Sequence, residues 1–94
     1  MYAAVRRYEG VTDPAEAGRL VNEGFVPIVR QIDGFVAYYW VDAGDGVMVS
    51  TSVFQDRSGA EESVSKAADF VRGNLASLLP NPPQITAGDV VAFA

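Results

Sequence analysis

The chain has 94 residues, enough for one domain over 1–94 but not for a large core, since a chain of this size buries only roughly 60–65% of its unfolded surface. Hydrophobic residues make up 49% and charged ones 20%, so apolar surface must either stay exposed or be covered by a partner. Twelve acidic against seven basic residues give a net charge of −5, which leaves no basic patch for a nucleic-acid backbone or an anionic membrane. The absence of Cys excludes disulfides and thiolate chemistry, and the absence of His removes the commonest metal ligand and general base. The opening "MYAAVRRY" lacks the layout of a secretory leader, and no apolar run is long enough to span a bilayer; a cytoplasmic protein is expected.

"YAAVRRY", Tyr2–Tyr8, reads as a first strand. Asp13, Pro14 and Glu16 then supply an N-cap, a first-turn proline and a capping box for a helix. Its expected buried stripe is Ala17, Leu20, Val21, Gly24, Ile28 and Ile32, with Pro27 forcing a kink or a fresh turn. "GFVAYYWVD" is a second strand, "AGDG" a turn that tolerates positive φ, and "VMVSTSVFQ" a third strand. Ser58 and Glu61 open a second helix, whose stripe is Ala60, Val64, Ala67, Ala68, Val71, Leu75 and Leu78. Gly73 bends or ends it, Pro80 prevents any helix from continuing past Leu79, and "ITAGDVVAFA" reads as a fourth strand running to Ala94. The order βαββαβ predicts a ferredoxin-like α+β fold, with two helices on one face of a four-stranded antiparallel sheet.

Centring the hairpin on Gly44-Asp45 pairs residues whose numbers sum to 89. Phe35, Ala37, Tyr39 and Val41 then share one face with Phe54, Ser52, Ser50 and Met48, while Val36, Tyr38 and Trp40 share the other with Val53, Thr51 and Val49. Both sets are apolar enough to be buried, and two helices cover only one, so a second copy of the sheet is expected on the other.

"RQIDGF" ahead of the second strand, and "VFQDRSGAEES", with an aromatic closing the third strand before an acidic helix start, make the chain resemble the antibiotic biosynthesis monooxygenase type of dimeric α+β barrel. The resemblance covers nearly the whole chain. It implies a homodimer with two sheets face to face, a ligand pocket between each sheet and its helices, and either metal- and flavin-free oxygenation of aromatic polyketides or a haem-degrading activity. Phe54 stands where the family often has Trp, and there is no His to ligate haem iron, which argues against haem degradation. No metal and no cofactor are expected.

On this register Phe35, Tyr39 and Phe54 could stack on a planar small aromatic ligand, or be ordinary core packing. Ser50 and Ser52 could add hydroxyls to the pocket wall, or be satisfied by backbone. Asn22, beside the first helical stripe, could reach the pocket or face solvent. Arg6 and Arg7 point to opposite faces; a buried guanidinium needs a carboxylate such as Asp42 or Asp89, or an anionic ligand. Without His, Tyr39 and Arg7 are the expected catalytic pair. Tyr38, Trp40, Val49 and Thr51 are the expected dimer interface. A cofactor-independent oxygenase acting on an aromatic or polyketide-like substrate is one reading, and a non-catalytic scaffold or stress-associated barrel protein the other. An enclosed void at Tyr39, Ser50 and Ser52 would favour the first, and a solid core there would count against it.

Overall fold

The computed structural model describes residues 1–94. Strand β1 (Tyr2–Tyr8) leads to helix α1 (Pro14–Leu20), which passes through a π-helical turn (Val21–Phe25) into α2 (Val26–Val29). The hairpin β2 (Phe35–Gly44) and β3 (Val47–Phe54) comes next, then α3 (Arg57–Phe70) with a second π-helical turn (Val71–Leu75), and finally β4 (Gln84–Asp89). All strand neighbours are antiparallel, in the order β2-β3-β1-β4 that defines the ferredoxin-like sheet. No helix is long and apolar enough to cross a membrane.

The first helix starts as its sequence dictates. The Asp13 carboxylate accepts the Glu16 N–H at 3.2 Å, and Pro14 occupies the first turn, where its missing N–H is not needed. The π-helical turn then inserts one residue into the repeat. The buried stripe therefore runs Ala17, Val21, Phe25, Val29 and Ile32, in place of the expected Gly24 and Ile28, and Ile28 is turned out. Pro27 sits at the start of α2, directly after the π-helical turn, where the α-helical ladder is already interrupted. The second helix opens at Arg57, with Asp56 and not Ser58 at its N-cap. β4 ends at Asp89, and residues 90–94 continue beyond the sheet without strand structure, leaving Phe93 78% exposed.

The hairpin corrects the expected register. Its two-residue loop is Asp45-Gly46, with φ of +54° and +76°, one step later than Gly44-Asp45. Both loop residues need positive φ, and Asp-Gly supplies it more readily than Gly-Asp. β2 also has 10 residues where β3 has 8, and irregularities at Val36 and Ala43 absorb the excess. Phe35 still pairs with Phe54, but between the two bulges Tyr38 pairs with Ser52, Tyr39 with Thr51 and Trp40 with Ser50. Tyr38 and Trp40 thus face the helices, and Tyr39 faces away, 62% exposed.

The helix-side core joins Tyr8, Met48 and Phe54 from the sheet to Val21, Phe25, Val29, Ala60, Ala67 and Leu75 from the helices. Phe25 meets Tyr38 edge-on at 5.4 Å between ring centroids and Phe70 at 5.6 Å. The opposite sheet face carries Val5, Tyr39, Val41, Val49, Thr51 and Val53 with no element over it.

Candidate functional site

One row across the helix-facing side of the sheet reads Trp40, Ser50, Arg6 and Ile85 from edge to edge. Arg6 is placed there by strand alternation, between the buried Ala4 and Tyr8, and retains only 2% exposure. No carboxylate pairs with it. Asp42 is exposed and accepts the Gly44 N–H at 3.0 Å, while Asp89 sits opposite Tyr2 at the far end of β1. Nε and Nη1 of Arg6, the indole Nε1 of Trp40, and the hydroxyls of Ser50 and Ser52 are buried without a hydrogen-bond partner. A buried cation without a counter-charge costs several kcal/mol, and unpaired buried polar groups about 1–3 kcal/mol each. Such a row is unusual in a core of 94 residues.

Two tyrosines flank the guanidinium. Burial pushes the Tyr38 hydroxyl up to about 12, against an opposing pull from the Arg6 charge. Burial likewise raises Tyr8, with Arg6 again opposing. Both phenols are neutral donors at ordinary pH. The side chains around Arg6 therefore offer one fixed positive charge and several N–H and O–H donors, which suits an oxyanion. The rings of Tyr8 and Trp40, 5.5 Å apart and tilted, add flat apolar surface.

Arg6 and Tyr8 form part of the wall of an open cleft of about 390 Å³. Its other walls come from Val64, Ala68 and Val71 on the helical side and from Leu79, Pro83 and Ile85 on the side of β4. That volume lies within the usual range for a small-molecule site. Towards β2, Arg6 and Tyr8 also border a small void of about 10 Å³, lined in addition by Val21, Phe25, Tyr38, Trp40 and Phe70.

The residues singled out from sequence divide between these features. Ser50, Ser52, Phe35 and Phe54 lie on the helix side as expected, but none borders the cleft or the void. Phe35 and Phe54 pack edge-to-face at 5.8 Å, so the core is solid there. Tyr39 lies on the outer face, because the bulge at Val36 shifts the alternation by one. Arg7 is exposed there too, with its Nε 3.8 Å from Glu9 Oε1; the buried member of the arginine pair is Arg6. Asn22 is exposed, in a shallow groove with Gly18, Val26 and Tyr39. Of the expected interface set, Val49 and Thr51 are on the outer face, whereas Tyr38 and Trp40 have moved inside for the same reason that Tyr39 moved out. Sequence reasoning placed Val71 in a helix stripe only and did not single out Tyr8 or Pro83. The signal for Tyr8 was available, since it shares its strand face with Arg6.

No protein-family model matches the chain, and no curated protein matches it significantly. Solved structures do. A protein of unknown function from Nitrosomonas europaea superposes with a TM-score of 0.76 at 22% identity, covering 99% of this chain and 91% of that one. A monooxygenase of Streptomyces coelicolor, solved with the ligand nanaomycin D, gives a TM-score of 0.75 at 20% identity, covering 99% and 89%. A cofactor-independent oxygenase of Streptomyces nogalater gives 0.63 at 18%, covering 93% and 87%. Likeness at such identities carries the fold and leaves the reaction to the site. The chain has the ferredoxin-like α+β fold of the antibiotic biosynthesis monooxygenase structures.

Proposed function

We propose that the protein is a homodimer that binds a small planar molecule bearing an ionised oxygen, a phenolate or enolate of aromatic or polyketide-like type, in the cleft beside Arg6. The buried, uncompensated Arg6 guanidinium carries this reading. A neutral ligand would leave it unpaired, whereas an oxyanion supplies the missing charge and accepts from its N–H groups. The Tyr8 hydroxyl is a further donor in the cleft wall, which Arg72, bonded through Nη2 to Asp69, also lines. Val64, Val71, Leu79 and Ile85 exclude water around the ring system.

The same arrangement suits oxygenation without a cofactor, the activity of the S. nogalater relative. An ionised phenol with a reducible partner such as dioxygen supplies its own electron pair. Ring oxidation to a quinone then consumes one O2, places one oxygen atom in the product and releases the other as water. The chain's share is to hold the anion, desolvate it and steady its charge beside Arg6. Tyr39 and Arg7 take no part in this scheme. Tyr39, with Val41, Val49 and Thr51, belongs to the proposed face-to-face dimer contact, where a matching apolar surface comes most simply from a second copy.

Calorimetric titration with a planar phenol across the phenol's own pKa tests the binding reading. Affinity should rise as the phenol ionises, and Arg6→Gln should abolish that rise. Equal affinity for both protonation states would overturn it. Binding without oxygen uptake by the same samples would favour the non-catalytic container.

A further inference from the structure

The cleft of about 390 Å³ and the void of about 10 Å³ have three lining residues in common: Arg6, Tyr8 and Val71. Arg6 and Tyr8 belong to the sheet floor beneath both. Val71 alone comes from the helical layer, so its side chain forms the wall between them. It is the first residue of the π-helical turn Val71–Leu75, where the α-helical ladder is already interrupted, and nothing lies within 4 Å of where a Cβ would sit on Gly73. Beyond the wall lie Tyr38 and the unpartnered indole N–H of Trp40.

We infer that Val71 is a specificity-determining partition, which limits a ligand in the outer cleft to the ring or rings that fit short of Trp40. The void holds about one water and no aromatic ring. With a smaller residue at 71, the two spaces join over the Arg6–Tyr8 floor, and a longer fused-ring phenolate reaches the Trp40 N–H and the Tyr38 hydroxyl. A larger residue closes the passage. The ligand part of this inference rests on the proposal of a phenolate beside Arg6; the partition itself does not.

Trp40 is the only tryptophan, so the fluorescence comes from the one indole that lines the void. One edge of the indole also borders the groove at Gly18 and Asn22, which sets a baseline in the wild type. Quenching by acrylamide should rise clearly above that baseline in Val71→Ala and fall below it in Val71→Ile. Val64→Ala, the same truncation at a residue lining the cleft but not the void, should leave it unchanged. A tricyclic phenol should bind Val71→Ala about tenfold more tightly than the wild type, the scale of a one-methylene steric constraint, while a monocyclic phenol binds both alike. Thermal melts confirm that each variant is folded. Wild-type quenching in Val71→Ala, or an equal rise in Val64→Ala, overturns the partition. A rise confined to Val71→Ala with no phenol bound by any variant upholds the partition and sinks the phenolate reading.

Discussion

Arg6 tests whether its position serves stability or binding. An arginine that stabilises a core does so through partners, and this one has none for Nε or Nη1. Replacing it with an apolar residue of similar length removes the desolvation cost and keeps the packing of its methylene stem. Arg6→Met should therefore raise stability by about 1–4 kcal/mol in denaturant melts while losing affinity for anionic ligands. A loss of stability would mean that Arg6 is structural. The tyrosines make a second statement at this scale. Because Tyr38 titrates near 12 in the folded chain and near 10 when unfolded, both states are protonated below about pH 10 and its contribution is complete there. Between about pH 10 and 12 only the unfolded state releases the proton, so stability falls as pH rises, by roughly 3 kcal/mol in all. Tyr38→Phe should flatten that part of the stability–pH curve. Tyr8, raised by the same cause, acts in the same direction.

Among the elements, the order βαββαβ, the Asp13 cap and the core face of β3 were legible in the residues themselves. The errors of facing share one cause. A π-helical turn after Leu20 and a bulge at Val36 each insert a single residue, and each moves the positions just after it to the neighbouring one: Phe25 and Val29 replace Gly24 and Ile28, and Tyr38 and Trp40 exchange faces with Tyr39. Alternation patterns report a period well and a phase poorly, because one extra residue leaves the period intact. Phe35, Val36 and Ala37 show why nothing local warned of it, since all three are apolar and suit either face. The structure implies that Val36 is surplus to the ladder. Deleting it should leave the partners of Tyr38, Tyr39 and Trp40 unchanged, which cross-strand NOEs between Tyr39 and Thr51 would verify. If the deletion instead brought Tyr39 opposite Ser52, the bulge would not be the cause of the shift.

At the scale of the whole molecule, the even balance of apolar residues on both sides of β2 and β3 was visible in the sequence, and it survives the exchange of faces. The outer face leaves Tyr39 and Val41 exposed and Val5, Val49 and Val53 half-buried, with no element of the chain over them. Tyr39→Asp or Val49→Asp should convert the proposed dimer to monomer in sedimentation runs at micromolar concentration. Each places a charge in the middle of an interface that, at the size typical of obligate dimers, buries on the order of 2,000 Å² or more. Trp40→Ala should instead destabilise each protomer by about 3–5 kcal/mol through the cavity left beside Tyr8, with no separate effect on association. A variant at Tyr39 that remains dimeric would move the contact elsewhere.

The ten residues of β2 against the eight of β3 have one more consequence, because β2 is a border of the sheet. A border with two bulges is no straight template for an incoming strand, and the other border, β4, offers only six residues. Lateral growth, strand upon strand, is discouraged on both flanks. The proposed broadside dimer is thus free to stop at two copies, where a straighter border would have invited fibres.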